Sequence, residues 1–195
     1  MNFLAHLYLS DRHDDIMIGN FIADSIRGNK YEHFPLGIQK GIKLHREIDT
    51  FTDAHPVFRQ STKRLHPFYS HYSGVIIDIF YDHFLAKNWE KYSNEKLTDF
   101  ATYFYQLISS KYDDMPEKVQ YMIPYMIKDN WLVSYAAISG IQSVLNGMNR
   151  RTKNKSNMHL ATKQLQDFYT EFETEFYLFF DDMQTFAKNK LNTIL

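Results

Sequence analysis

The chain predicts an all-α fold: one bundle of many helices, a single domain over residues 1–195. Three observations carry this. Only 7 glycines and 5 prolines occur in 195 residues, too few turn-makers for a protein built of many short strands. Strict alternation of apolar and polar residues is scarce. Apolar residues instead recur three and four apart along most of the chain, the period of a helix with one buried face. Composition agrees, with 44% hydrophobic and 23% charged residues, in the globular range. The 16 phenylalanines and 14 tyrosines can fill a large core. No internal repeat or low-complexity linker divides the chain.

The elements follow in order. Phe3, Leu4 and Leu7 share one face of a short first helix. Ile18, Phe21, Ile22 and Ile26 mark a second, opened by Asp14 or Asp15 as cap and ended at Arg27 before Gly28. A third runs from about Pro35 to Phe51. Pro56, suited to a first helical turn, opens a fourth that stops before Pro67. The fifth covers Gly74 to Trp89. Ser93 caps a sixth, ending near Ser110. Pro116 and Trp131 stand near the starts of two more. Residues 157–195 read as helical throughout, which is long for a globular helix, so a break is expected within them.

Composition also excludes functions. A formal net charge of −1 does not suit a chain that coats nucleic acid. The absence of cysteine removes disulfides, cysteine–zinc sites, iron–sulfur clusters and thiol nucleophiles, and fits a reducing compartment. The first residues lack a basic region and a cleavage site, and no run reaches the ~18 apolar residues of a membrane span. A soluble, cytoplasmic protein without a membrane partner is expected. Two charge blocks stand out. Residues 141–166 carry Arg150, Arg151, Lys153, Lys155 and Lys163 and no acid, whereas residues 167–182 carry six acids and no base. These read either as a solvated loop and helix face or as a basic surface for an acidic partner.

Chemistry concentrates near the start. Eight of the nine histidines lie in the first 83 residues. His45 and Asp49 are four apart on the third helix and share a face, as do Asp78 and Asp82 on the fifth, beside His83, and Asn20 and Asp24 on the second. Asp78 and Asp82 sit in the nearly all-apolar stretch from Gly74 to Leu85, which marks a buried helix. Buried carboxylates need a partner or a metal. Imidazole with carboxylate suits manganese, iron, zinc or nickel, and carboxylate-rich sites suit manganese or magnesium. Structural alternatives stand beside this. His45 and Asp49 can be a plain ion pair, Asp78 and Asp82 can pair with Arg27 or Arg46, and His6 and His83 can be packed core histidines. The chain has no Gly-x-Ser-x-Gly elbow and no phosphate-cradling glycine loop. Metal-activated water is then the economical nucleophile, and Arg27 and Arg46 suit a phosphate ester.

Four stretches are familiar together. Met1 to Leu7, Gly19 to Gly28, Gly41 to Asp53, and Asp78 to Leu85 resemble, in order and spacing, the motifs of acyl carrier protein phosphodiesterases. Trp131 to Val133 and Val144 to Met148 are similar to that family's C-terminal half. The likeness spans residues 1 to about 150, and the tail is matched in helical character only.

The resemblance implies an all-α, HD-phosphohydrolase-like fold and manganese dependence. It implies hydrolysis of the phosphodiester joining 4′-phosphopantetheine to a serine of holo-acyl carrier protein. Because that partner is acidic, the basic block gains a use in docking. The sequence departs from the HD order of ligands: His13-Asp14 lies outside the matching motifs, and the motif dipeptide is reversed as Asp82-His83. The ligand assignment therefore follows helical spacing and motif membership. Asp24, His45, Asp78 and Asp82 surround one Mn²⁺ or another divalent cation, with His83 and His6 as further donors. Asp24 and Asp49 are the catalytic pair, Asp49 orienting or deprotonating the water. Arg27 and Arg46 neutralise the phosphodiester, and Arg150 and Arg151 receive the carrier protein. Two rivals remain at this point: a metal-dependent phosphohydrolase of nucleotides or other small phosphoesters, and a non-catalytic helical protein with an aromatic partner-binding surface.

Overall fold

The computed structural model describes residues 2–195, and among them it holds helices and turns with no strand. Helix α1, Phe3–Tyr8, is one and a half turns long and draws its stability from tertiary contacts. Its N-cap, Asn2, makes no side-chain cap bond. The α1 donors Leu4 N–H and Ala5 N–H bond instead to the Asp82 carboxylate, at 2.7 and 3.3 Å. Helix α2, Asp14–Ile22, carries Asp14 and Asp15 in its first turn, where negative charge meets the positive helix end. It gives way to a 3₁₀ turn, Ala23–Ser25, so it stops short of the expected Arg27.

Helix α3, Leu36–Ala54, crosses α2 almost backbone to backbone. A Cβ on Gly19 would stand 2.1 Å from the Ile38 carbonyl oxygen, and one on Gly41 2.4 Å from that of Ile16. Only glycine permits this approach, and it brings the end of α2 over the middle of α3.

Helix α4, Pro56–Tyr69, runs through Pro67, where the sequence predicts a stop. Pro67 lies in the last turns, and its missing N–H removes one bond without ending the helix. Helix α5, Ser73–Lys87, is buried over most of its surface. Helix α6, Leu97–Ser110, begins after Lys96, and the expected cap Ser93 instead accepts from Glu95 N–H at 3.2 Å. Helix α7, Glu117–Lys128, follows Pro116. Trp131 opens only the short α8, Trp131–Ser134, and a separate helix, α9, runs Ile138–Arg151. Gly140 lets the start of α9 press on the Ser134 carbonyl, which a Cβ would meet at 2.0 Å. The expected break in the tail falls at Phe168 (φ −120°, ψ 31°), between α10, Thr162–Asp167, and α11, Tyr169–Ile194.

One contiguous hydrophobic core draws on nearly all of these helices. Phe172, Phe176, Phe179 and Phe180 of α11 are fully buried, each stabilising by about 1.5–3 kcal/mol. The aromatic excess of the tail is therefore core. Nor is its acidic face wholly solvated. Glu175 is buried and takes two bonds from Arg64, at 2.6 and 2.7 Å. Among the described residues no helix is long and apolar enough to cross a membrane.

Candidate metal centre

The α2–α3 crossing and α1 meet at a cluster of donors. His6 and His45 are 3% and 7% exposed, and their rings stack 4.0 Å apart at 16°. Asp49 stands between them, one oxygen 3.2 Å from His6 Nε2 and the other 3.1 Å from His45 Nε2. Donor atoms of His6, His45 and Asp49 lie within 4.8 Å of one another. Asp24, exposed at the end of α2, reaches His45 Nε2 at 3.3 Å.

The tautomer of His45 follows from its other nitrogen. Nδ1 lies 2.9 Å from the Asn20 carbonyl and 3.1 Å from Asn20 Oδ1. Both are acceptors, so Nδ1 carries hydrogen. Asn20 is itself held, its Nδ2 donating to the His6 carbonyl at 2.8 Å and to Ser10 Oγ at 3.1 Å. A neutral His45 would then aim the Nε2 lone pair at two carboxylates. The contact is favourable only with a positive charge there, a proton or a cation.

The acid–base balance reflects this. Burial opposes charge on His45, but its bonds to Asp24 and Asp49 prevail and raise it to about 9. Burial, reinforced by the neighbouring His45, pushes His6 down to about 4. Asp49 is held well below the usual carboxylate range by both histidines, against its own burial. The His45 bond likewise lowers Asp24.

A cavity of about 290 Å³ opens on the cluster. Asp24, Asp49, Asp53, Asp78 and His45 line it, with no lysine or arginine among its described lining residues. Four aspartates around one histidine suit a divalent cation. The donor set thus fits the ion that the sequence implied: His6, His45 and Asp49 would hold it, with Asp24 and Asp78 at the walls.

Other expected residues lie elsewhere. Asp82 is fully buried, capping α1 through both oxygens, and burial pushes it up to about 7. His83 faces Tyr135 and Tyr169, with Nδ1 2.8 Å from the Tyr135 carbonyl and Nε2 2.9 Å from the Tyr169 hydroxyl. Burial lowers its pKa. Arg46 donates to the Gly28 carbonyl at 2.6 Å and stacks on Tyr31, so it fixes the turn after α2. Arg27 lines a separate cleft with Lys30 and His33. Arg150 and Arg151 line a second cavity that shares Asn2, Asp24 and Met148 with the first.

Comparison with known proteins identifies the lineage. The family described as acyl carrier protein phosphodiesterase matches residues 1–183. The chain belongs to the acyl carrier protein phosphodiesterase family. It is 34% identical over 191 residues to the acyl carrier protein phosphodiesterase of Photorhabdus laumondii, covering 97% of this chain and 96% of that protein. To the acyl carrier protein phosphodiesterase of Shigella boydii it is 34% identical over 198 residues, covering 97% and 99%. No solved structure matches the chain. The family match reaches beyond residue 150, into the tail that sequence resemblance left unmatched.

Two features of this family member escaped the sequence reading. Asn20 shares a face with Asp24, but its role as the anchor of both histidines shows only in the fold. Asp49, expected beside the ligands, is one of the clustered donors. A buried amide within the apolar helix α2 is the signal that points to Asn20.

Proposed function

We propose that the chain is a metal-dependent phosphodiesterase that hydrolyses holo-acyl carrier protein to apo-carrier and 4′-phosphopantetheine. The observation that carries the chemistry is the His6–His45–Asp49 cluster beside a cavity that His45 and four aspartates line. The substrate follows from family membership. Cytoplasmic location and an HD-like arrangement of helices belong to the same reading.

His6, His45 and Asp49 would hold a divalent cation, with manganese as the expected ion. When bound it supplies positive charge to the phosphoryl oxygens and acidifies water. Asn20 keeps the His45 proton on Nδ1 and leaves Nε2 for the ion. Asp49 has an imidazole at each oxygen, so it positions the centre. Asp24, exposed at the mouth, takes the proton of the attacking water. Oxygen of that water adds to phosphorus, the bond from phosphorus to the serine oxygen breaks, and the serine oxygen takes a proton from solvent. Arg150 and Arg151, at the edge of the neighbouring cavity, attract the phosphate of the substrate. Arg46 ties down the turn at Gly28, and Arg27, in the adjoining cleft, is left as the arginine of this pair available to a phosphate.

Intact-mass measurement of holo-acyl carrier protein tests this. Loss of one phosphopantetheine group with Mn²⁺, and none with chelator, is expected. A metal-loaded, folded protein that leaves the carrier intact while cleaving a small phosphodiester would overturn the substrate, and one that cleaves neither would overturn the activity.

A further inference from the structure

Gly147 lies inside α9, where glycine destabilises a helix relative to alanine. Gly19, Gly41 and Gly140 repay that cost with backbone contacts that a Cβ would obstruct. Gly147 has no such reason. A Cβ there would meet only Arg150 Nη2, at 3.9 Å. Its missing side chain enlarges a cleft of about 350 Å³ between α8 and α9. This is the enclosed cleft that shares Asn2, Asp24 and Met148 with the metal cavity.

The chemistry of the cleft narrows its occupant. Trp131, Tyr135, Val144 and Met148 give it apolar walls, with the hydroxyls of Ser134 and Ser143 along them. Its charged lining residues, Asp24, Asp129, Arg150 and Arg151, are all exposed at the edges. The interior therefore suits an uncharged chain with amide groups. Its volume is at the lower end of the ~300–1,000 Å³ of small-molecule pockets, too small for a protein surface. A phosphodiester has two substituents, and each needs a path from the centre. Through Asp53, and through none of the residues shared with the α8–α9 cleft, the metal cavity also meets an open cleft of about 650 Å³ that carries Arg59, Lys63 and His66. That side is broad and basic, as a protein surface requires.

We infer that the α8–α9 cleft, kept open by Gly147 and walled by Trp131, Val144 and Met148, binds the pantetheine arm. The inference rests on the proposed carrier-protein reaction and orients the substrate within it. The phosphate lies at the cluster, the arm runs under Trp131, and the carrier protein approaches from the opposite side.

Two measurements test it. Gly147→Leu has room at its Cβ, extends a side chain into the cleft, and should melt no lower than the parent protein. Its loss of kcat/KM on holo-acyl carrier protein should exceed that on bis(p-nitrophenyl) phosphate, which has no arm, by about tenfold or more. Equal losses on the two substrates, or none, would overturn the cleft assignment and leave the carrier-protein reaction standing. The second measurement needs no turnover. The chain has no cysteine, so Ser143→Cys introduces a single thiol in the cleft and Ser70→Cys one in the open cleft. With chelator present and diamide as oxidant, the arm thiol should form a mixed disulfide with the cysteine at 143 and not at 70. Adduct at 70 alone, or at neither, would overturn the inference.

Discussion

Two carboxylate sites lie in this bundle, and they are neutralised in opposite ways. On α11, Glu175 is closed off: Arg64 grips both oxygens, and Gln60 and Ser61 donate as well. A fixed cation and neutral donors fill its hydrogen-bonding capacity, which is the signature of a structural pair. At the α1–α3 cluster, Asp24 and Asp49 crowd one histidine nitrogen, and Asp53 and Asp78 line the same cavity. No arginine or lysine side chain lines that cavity among the described residues. The first site holds one carboxylate against a guanidinium, whereas the second gathers four carboxylates from three segments of the chain around a histidine and a cavity. The contrast separates a site that holds the fold together from one arranged to receive a cation.

The contrast is sharpest where each site loses one member. Asp49→Asn should reduce phosphodiesterase activity by more than about 100-fold, with helix content by circular dichroism unchanged. Arg64→Met should do the reverse. It leaves Glu175 charged and buried, costing about 3–5 kcal/mol by denaturant unfolding, while activity per folded molecule is kept. Full activity in Asp49→Asn, or an undiminished stability in Arg64→Met, would erase the distinction. Asn20→Ala keeps the backbone acceptor of His45 Nδ1 but removes the side-chain one and the amide ties to the His6 carbonyl and Ser10, and it should weaken metal affinity by about 10-fold by calorimetry.

The smallest effect concerns pH. His83, buried and neutral between two tyrosine partners, has its pKa lowered below 6.5. Its contribution is fully present above pH 6.5. As pH falls through that value the unfolded chain takes up the proton first, so stability declines. The slope from one such group is at most about 1.4 kcal/mol per pH unit. The melting temperature of His83→Gln should therefore fall less than that of the parent between pH 7.5 and 5.5, and equal falls would refute the assignment.

These differences also show what a linear sequence can convey. The pairing of His45 with Asp49 was legible, because four-residue spacing on a helix fixes a shared face. So was the all-α class. The same spacing put Asp78 and Asp82 together, yet it could not say what Asp82 would meet. The unsatisfied N–H groups of α1 claim it, and they come from residues 77 and 78 positions away. Arg46 reads as a phosphate ligand until the turn at Gly28 comes within its reach. Pro67 reads as a helix end, but a proline in the final turns removes only one bond. Gly147 looks like a weak point in a helix, and only the empty space beside it explains its presence. Local spacing was informative where partners share a helix and silent where a distant segment supplied the partner.

The central claim is that His6, His45 and Asp49 form a metal centre rather than a hydrogen-bonded polar cluster. Titration of the chelator-treated protein with Mn²⁺, followed by the electron paramagnetic resonance of free ion, addresses it most directly. Saturable binding in the parent chain, lost in both Asp49→Asn and His45→Gln and kept in Arg64→Met, is the predicted result. Equal binding by the parent and the two cluster variants, or none by any of them, would contradict it.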